Sequence, residues 1–176
     1  MIIWDRFIRT FHWLLVLCFC LNYFWLEPGG SFHQAVGYTA ATLVIIRIIW
    51  GFTGPPNARF HNFLPSVVGI KEHVAELRHR KVNQGQGHNP LGGLMVFFLL
   101  ALFLLQAITG FLREEINALY GDSFLTSVHF VSANIIFALV IIHIIAVVVT
   151  AYIGKIELIR PMISGKRRTK HHDRAK

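Results

Sequence analysis

Four apolar stretches, at residues 11–26, 34–52, 94–112 and 128–153, leave this chain few folds. Each approaches the roughly 20 residues that a helix needs to cross a bilayer. The first is the shortest and is interrupted by Asn22. Lipid offers no partner to an unpaired backbone group, so a spanning segment must be a helix or part of a closed barrel. None of the stretches alternates as a barrel strand does. Only 15% of the residues are charged, against about a quarter in a soluble domain. The expectation is an all-α membrane protein, a bundle of four transmembrane helices at about 8–26, 34–53, 92–113 and 127–153, forming a single domain over 1–176.

The charges predict an orientation. Of 17 Lys and Arg, two precede the first helix, six lie at 47–81 and eight at 155–176. A four-helix array puts those sixteen on one side. The other side keeps Arg113, against Glu27, Glu114, Glu115 and Asp122. The positive-inside rule then predicts a multi-pass protein of the bacterial cytoplasmic (inner) membrane with both termini in the cytoplasm. The net charge of +8 is mostly this asymmetry. The basic tail at 155–176 reads as a topogenic segment facing lipid; nucleic acid is the weaker reading of it.

Smaller features close off other classes. The basic start followed by an apolar run resembles a signal peptide, but Glu27-Pro28-Gly29-Gly30 follows it as a turn without a small-residue cleavage site. A retained first helix is expected. Cys18 and Cys20 point to different faces of that helix, so neither a disulfide nor a metal pair is indicated. No Cys-x-x-Cys-His is present, so any haem is non-covalent. Pro65 and Ser66 start a segment, about 65–79, in which Val67, Ile70, Val74 and Leu77 recur at helical spacing. That pattern fits a helix on the cytoplasmic interface, or one docked on a partner subunit. Residues 84–90 read as a turn-rich approach to the third helix.

Histidines carry the functional signal. His129 and His143 lie fourteen residues apart in the last apolar stretch. On a helix that spacing is roughly 21 Å of rise and a return to nearly the same face. His12 lies near the inner end of the first helix and His33 near the outer end of the second. Depth therefore pairs His12 with His143 and His33 with His129. Neutral imidazole is a good iron ligand, and haem can be held by axial side chains projecting into a bundle core. Two bis-histidine haems would use all four. A buried histidine bonded to a backbone carbonyl is the plain alternative for any one of them, but four ionisable groups at matching depths in a bilayer point to function. Zinc and di-iron sites are poorly served, because ligands 21 Å apart share no metal and the spans hold no His-x-x-x-His or Glu-x-x-His. His61, His73, His79, His88, His171 and His172 are expected to be solvated.

Arg47 lies fourteen residues after His33, with Gly37, Ala40 and Gly51 near the same stripe. Small residues let a flat macrocycle approach, and an arginine pairs well with a haem propionate. Snorkelling to the inner interface is the competing reading of Arg47. Arg9 and Arg6, one to two turns before His12, are similar candidates. Gln106 and Thr109 are placed to bond a quinone or, more simply, to pack helices.

These residues together resemble the bacterial cytochrome b561 family, which includes the b-type cytochrome subunits of nickel–iron hydrogenases. The resemblance runs through Trp4-Asp5-Arg6-Phe7, Phe11-His12-Trp13, His33-Gln34-Ala35-Val36-Gly37-Tyr38 and Arg47-Ile48-Ile49-Trp50-Gly51-Phe52. It continues through Gly87-His88-Asn89-Pro90-Leu91-Gly92-Gly93-Leu94-Met95, Gln106-Ala107-Ile108-Thr109-Gly110, His129, His143 and Arg160-Pro161-Met162-Ile163-Ser164-Gly165-Lys166-Arg167. It implies a four-helix membrane cytochrome with two haem b groups in its core, and His12, His33, His129 and His143 match the ligand positions. It implies electron exchange with quinone and with a periplasmic redox protein, such as a c-type cytochrome or a hydrogenase. The outer loop at 113–126 is shorter than in many relatives. Two other classes stay open at this point: a non-catalytic anchor subunit of a periplasmic oxidoreductase, and a histidine-lined proton or ion transporter.

Overall fold

The computed structural model describes residues 3–79 and 90–167. The turn-rich stretch up to residue 89, His88 within it, and the tail beyond 167 with His171 and His172 lie outside the described residues. Among the described residues, four helices are long and apolar enough to cross a membrane. Helix α1 is Arg6–Cys20 and runs on through a π-helical turn, Leu21–Trp25. Helix α2 is Ser31–Thr53, α3 the short Val67–Arg78, α4 Pro90–Glu115, α5 Ser123–Gly154 and α6 the six-residue Ile159–Ser164.

Local chemistry sets several ends. The Asp5 carboxylate caps α1 by accepting from the Ile8 backbone N–H at 2.8 Å, and Asp122 caps α5 by accepting from Leu125 at 2.8 Å. Pro90 opens α4 at the first helical position, where a missing N–H costs nothing. Gly54 follows α2, with Pro55 and Pro56 next. Lys155, at φ 49°, ends α5 in the left-handed conformation.

The bundle is built from neighbours in a row: α1 on α2, α2 on α4, and α4 on α5. Helix α5 scarcely approaches α1 or α2. The outer part of the α1–α5 seam is closed by Tyr23, with Phe24 edge-on to Phe137 beside it. The Tyr23 ring stacks on Phe137 at 4.9 Å between centroids, and its hydroxyl donates to Asn134 Oδ1 at 2.8 Å. The outward surface is apolar (Trp25, Phe52, Phe130 and Tyr152 are all exposed), as a helix bundle solvated by lipid requires.

The best-buried cluster, Phe11, Val44, Phe60, Phe63 and Leu100, sits toward the end where the chain begins. Phe60 and Phe63 come from the loop after α2 and wedge between α2 and α4. The Phe60 ring lies against the Gly51 backbone, and the Phe63 carbonyl lies against Gly93. Gly51 is therefore filled by Phe60 and is no open place for a macrocycle, contrary to the small-stripe expectation. At the same end the last segment docks on the first helix. Ile3 N–H donates to the Gly165 carbonyl at 2.9 Å, and the Trp13 indole donates to the Met162 carbonyl at 3.1 Å. Arg167 donates from Nε to the Glu157 carbonyl at 3.2 Å. Burial holds its guanidinium below the usual arginine pKa, and Glu157 opposes that shift.

His73 on α3 corrects one expectation, since it is buried and not solvated. Val67 and Val74 are exposed, while His73 is only 4% exposed, with Nδ1 3.5 Å from Glu76 Oε2. The side of α3 turned to the protein thus carries the histidine, and the valines face outward. His61 and His79 are exposed.

Candidate haem sites

His33 from α2 and His129 from α5 face each other across the outer end of the bundle, with ring centroids 6.3 Å apart. They line a cavity of about 500 Å³, with walls from α1, α2, α4 and α5 that include Asn22, Gly37, Gly110 and Glu114. A volume of that size is in the range that holds a cofactor-sized ligand. Gly37 and Gly110 keep the walls thin. A Cβ on Gly110 would touch His129 Cε1 at 3.5 Å, and one on Gly37 would meet Asn22 Nδ2 at 3.6 Å.

Toward the other end, His12 on α1 and His143 on α5 are both half-buried and within electrostatic reach of each other. They too come from helices that scarcely touch. Both histidine pairs therefore join α5 to the first two helices, and the cavity lies at the outer pair.

The buried polar atoms left without partners among the described residues are instructive. They are His12 Nδ1, His33 Nδ1, Asn22 Oδ1, Arg47 Nη1 and Arg113 Nε. Asn22, His33 and Arg113 all line the outer cavity. Such atoms cost stability when nothing takes them. Their concentration around one cavity is what a polar-edged cofactor would relieve.

Arg47 is 3% exposed. One guanidinium nitrogen donates to the Ala58 carbonyl at 3.2 Å, and the group lies 4.8 Å over the Phe60 ring. Snorkelling does not describe it, because the head group is inside. It stands one turn from Val44, which packs with Phe11 beside His12. Arg9 is placed differently. Its Nη1 donates to the Ile163 carbonyl at 2.7 Å and its Nε to the Asp5 carbonyl at 3.4 Å. That guanidinium anchors the tail to α1. Arg6 is exposed.

Gln106 and Thr109 belong to the ligand-bearing face of α4. Gln106 Nε2 donates to the His129 carbonyl and to Ser132 Oγ, both at 2.7 Å. Thr109 Oγ1 lies 2.9 Å from His129 Nδ1. Residue types alone did not reveal this contact, because it depends on how α4 packs against α5. Arg113 and Glu114 were also read from sequence as loop charges. They line the cavity, 3.5 Å apart, and Glu114 accepts from Gln34 Nε2 at 3.2 Å.

Comparison with known proteins identifies the group. The family model described as prokaryotic cytochrome b561 matches residues 3–165. The chain belongs to the prokaryotic cytochrome b561 family. It is 30% identical over 159 residues to a protein of Rhizobium leguminosarum bv. viciae named as a probable Ni/Fe-hydrogenase B-type cytochrome subunit, an alignment covering 77% of this chain and 66% of that one. The chain thus spans just under two thirds of that relative's length. No solved structure matches.

Membership of a b-type cytochrome family makes haem b the cofactor to accommodate, and the residues fit it. An iron with an imidazole nitrogen at about 2 Å on each face separates the ring centroids by roughly 6 Å; the observed 6.3 Å suits that. Among the described residues no three His, Cys, Asp or Glu side chains converge to hold a metal ion. His33 and His129 would hold a haem b iron between them, with the macrocycle supplying its other ligands. Non-covalent attachment also suits the free thiols, since Cys18 and Cys20 stand two residues apart without a Cys-x-x-Cys-His motif.

Proposed function

We propose that this protein is a di-haem b-type cytochrome that carries electrons across the membrane between the quinone pool and a redox protein on the outer face. One observation carries the reading. A single helix, α5, bears two histidines fourteen residues apart; His129 faces His33, and His143 is within electrostatic reach of His12. Haem b, when bound, supplies a reversible one-electron site. The chain's part is to hold two such sites at different depths, His12 with His143 and His33 with His129. The ligand step along α5 is roughly 21 Å, inside a hydrocarbon core about 30 Å thick. Arg47, with one buried nitrogen unpaired among the described residues, is the arginine we assign to a propionate of the inner group.

Ligation is tested by single substitutions. His143→Ala should remove one haem and leave the other, and His129→Ala should remove the other. Loss of neither haem, or of both from a protein that still folds, contradicts the pairing.

The inner-membrane orientation rests on the sequence, in which sixteen of the 17 Lys and Arg fall in the segments that a four-helix array assigns to one side. A reporter active only in the periplasm should be silent when fused after Lys176 and active when inserted near Asp122. Activity at the C-terminal fusion overturns the orientation. The named relative favours a second reading, an anchor subunit that passes electrons for a periplasmic hydrogenase. Stable co-purification of a large periplasmic subunit would select it over a free shuttle.

A further inference from the structure

The outer pair of histidines is not symmetric in its hydrogen bonding. His33 Nδ1 is buried with no partner among the described residues, whereas His129 Nδ1 meets the Thr109 hydroxyl at 2.9 Å. Thr109 is 2% exposed, so water is not a competing partner. Its Oγ1 also lies 2.7 Å from the Leu105 carbonyl and 3.2 Å from the Gln106 carbonyl. A hydroxyl has one proton to give and lone pairs to receive with. A carbonyl can only accept, and the Leu105 carbonyl at 2.7 Å is the nearest acceptor, so we assign it the Thr109 proton. The hydroxyl lone pair is then what faces His129, and the ring nitrogen must be the donor.

We infer that Thr109 is a positioning residue for the outer metal site: it holds His129 as the Nδ1–H tautomer, which leaves Nε2 bare as the ligand. The inference rests on the reading that His33 and His129 hold a haem. Two neighbours fix the helix beneath the ring. Gln106 donates to the His129 carbonyl, and Ser132, after accepting from Gln106, donates to the Val128 carbonyl at 2.6 Å. An imidazole that donates its far N–H is a more basic ligand, and a more basic ligand favours oxidised iron. Thr109 therefore keeps the outer haem's potential low. Thr109 Oγ1 and the Gln106 amide nitrogen, read from sequence as quinone contacts or packing groups, are bonded within this arrangement.

The test is a redox titration of the α-bands of purified wild-type protein beside Thr109→Val and Thr109→Ser. The valine variant should raise the potential of one haem, the one that His129→Ala removes, and leave the other at its wild-type value. Selective loss of that haem from Thr109→Val, with the second haem retained as proof of folding, supports the inference equally. Thr109→Ser keeps the hydroxyl and should titrate as wild type. Wild-type potentials for both haems in Thr109→Val overturn the inference, as does a serine variant that behaves like valine. Wild-type protein without haem overturns the haem reading itself, and that result appears before any substitution is made.

Discussion

At the scale of single residues, the arginines divide by what they touch. Arg9 donates to two backbone carbonyls and ties the tail to α1. Arg47 has one donor on Ala58 and one buried nitrogen with no partner among the described residues. A buried cation near a redox centre favours the added electron. Arg47→Leu should therefore lower the potential of the inner haem and leave the outer one in place. A titration with both potentials unchanged would confine Arg47 to its packing on Phe60. The four histidines were legible in the sequence because an imidazole in an apolar stretch stands out and helical spacing gives its depth. Thr109 was not legible as a histidine partner, since a threonine in a membrane helix usually bonds its own helix and only packing shows which neighbour it meets. Arg113 and Glu114 misled for a related reason. Their charge placed them in a loop, but α4 runs through Glu115 and draws them to the cavity.

Whole elements were easier to read than their ends. Apolar length shows a membrane helix plainly, whereas the polar turn that caps it looks like loop. Asp122 is the clearest case. Counted with Glu27, Glu114 and Glu115 it makes the outer face acidic, yet its carboxylate caps α5. Glu114 is held by Gln34 and Arg113, and Glu115 accepts from the Tyr38 hydroxyl at 2.7 Å. Three of the four outer carboxylates thus have structural partners within the chain. Asp122→Ala should cost about 1 kcal/mol of stability through the lost cap. Its electron exchange with a basic soluble acceptor should change little. Unchanged stability with a large loss of that rate would instead make Asp122 a docking residue. The α3 pattern was legible as a helix, but the orientation of its valines was not. An amphipathic pattern says that one face is apolar and leaves open whether lipid or protein covers it.

For the whole molecule, the unusual feature is how little α5 packs against α1 and α2, although all three belong to one bundle. A polypeptide core would close such gaps to the density of protein interiors. Here histidine pairs join the helices, and the outer pair borders a cavity of about 500 Å³. Family membership supplies the b-type cofactor; the two histidine pairs set the proposed number at two. The central claim is thus a stoichiometry, and a pyridine-haemochrome assay on purified, quantified wild-type protein measures it. The account predicts two haems b per chain, released without breaking a covalent bond. One haem per chain, or none, would contradict it.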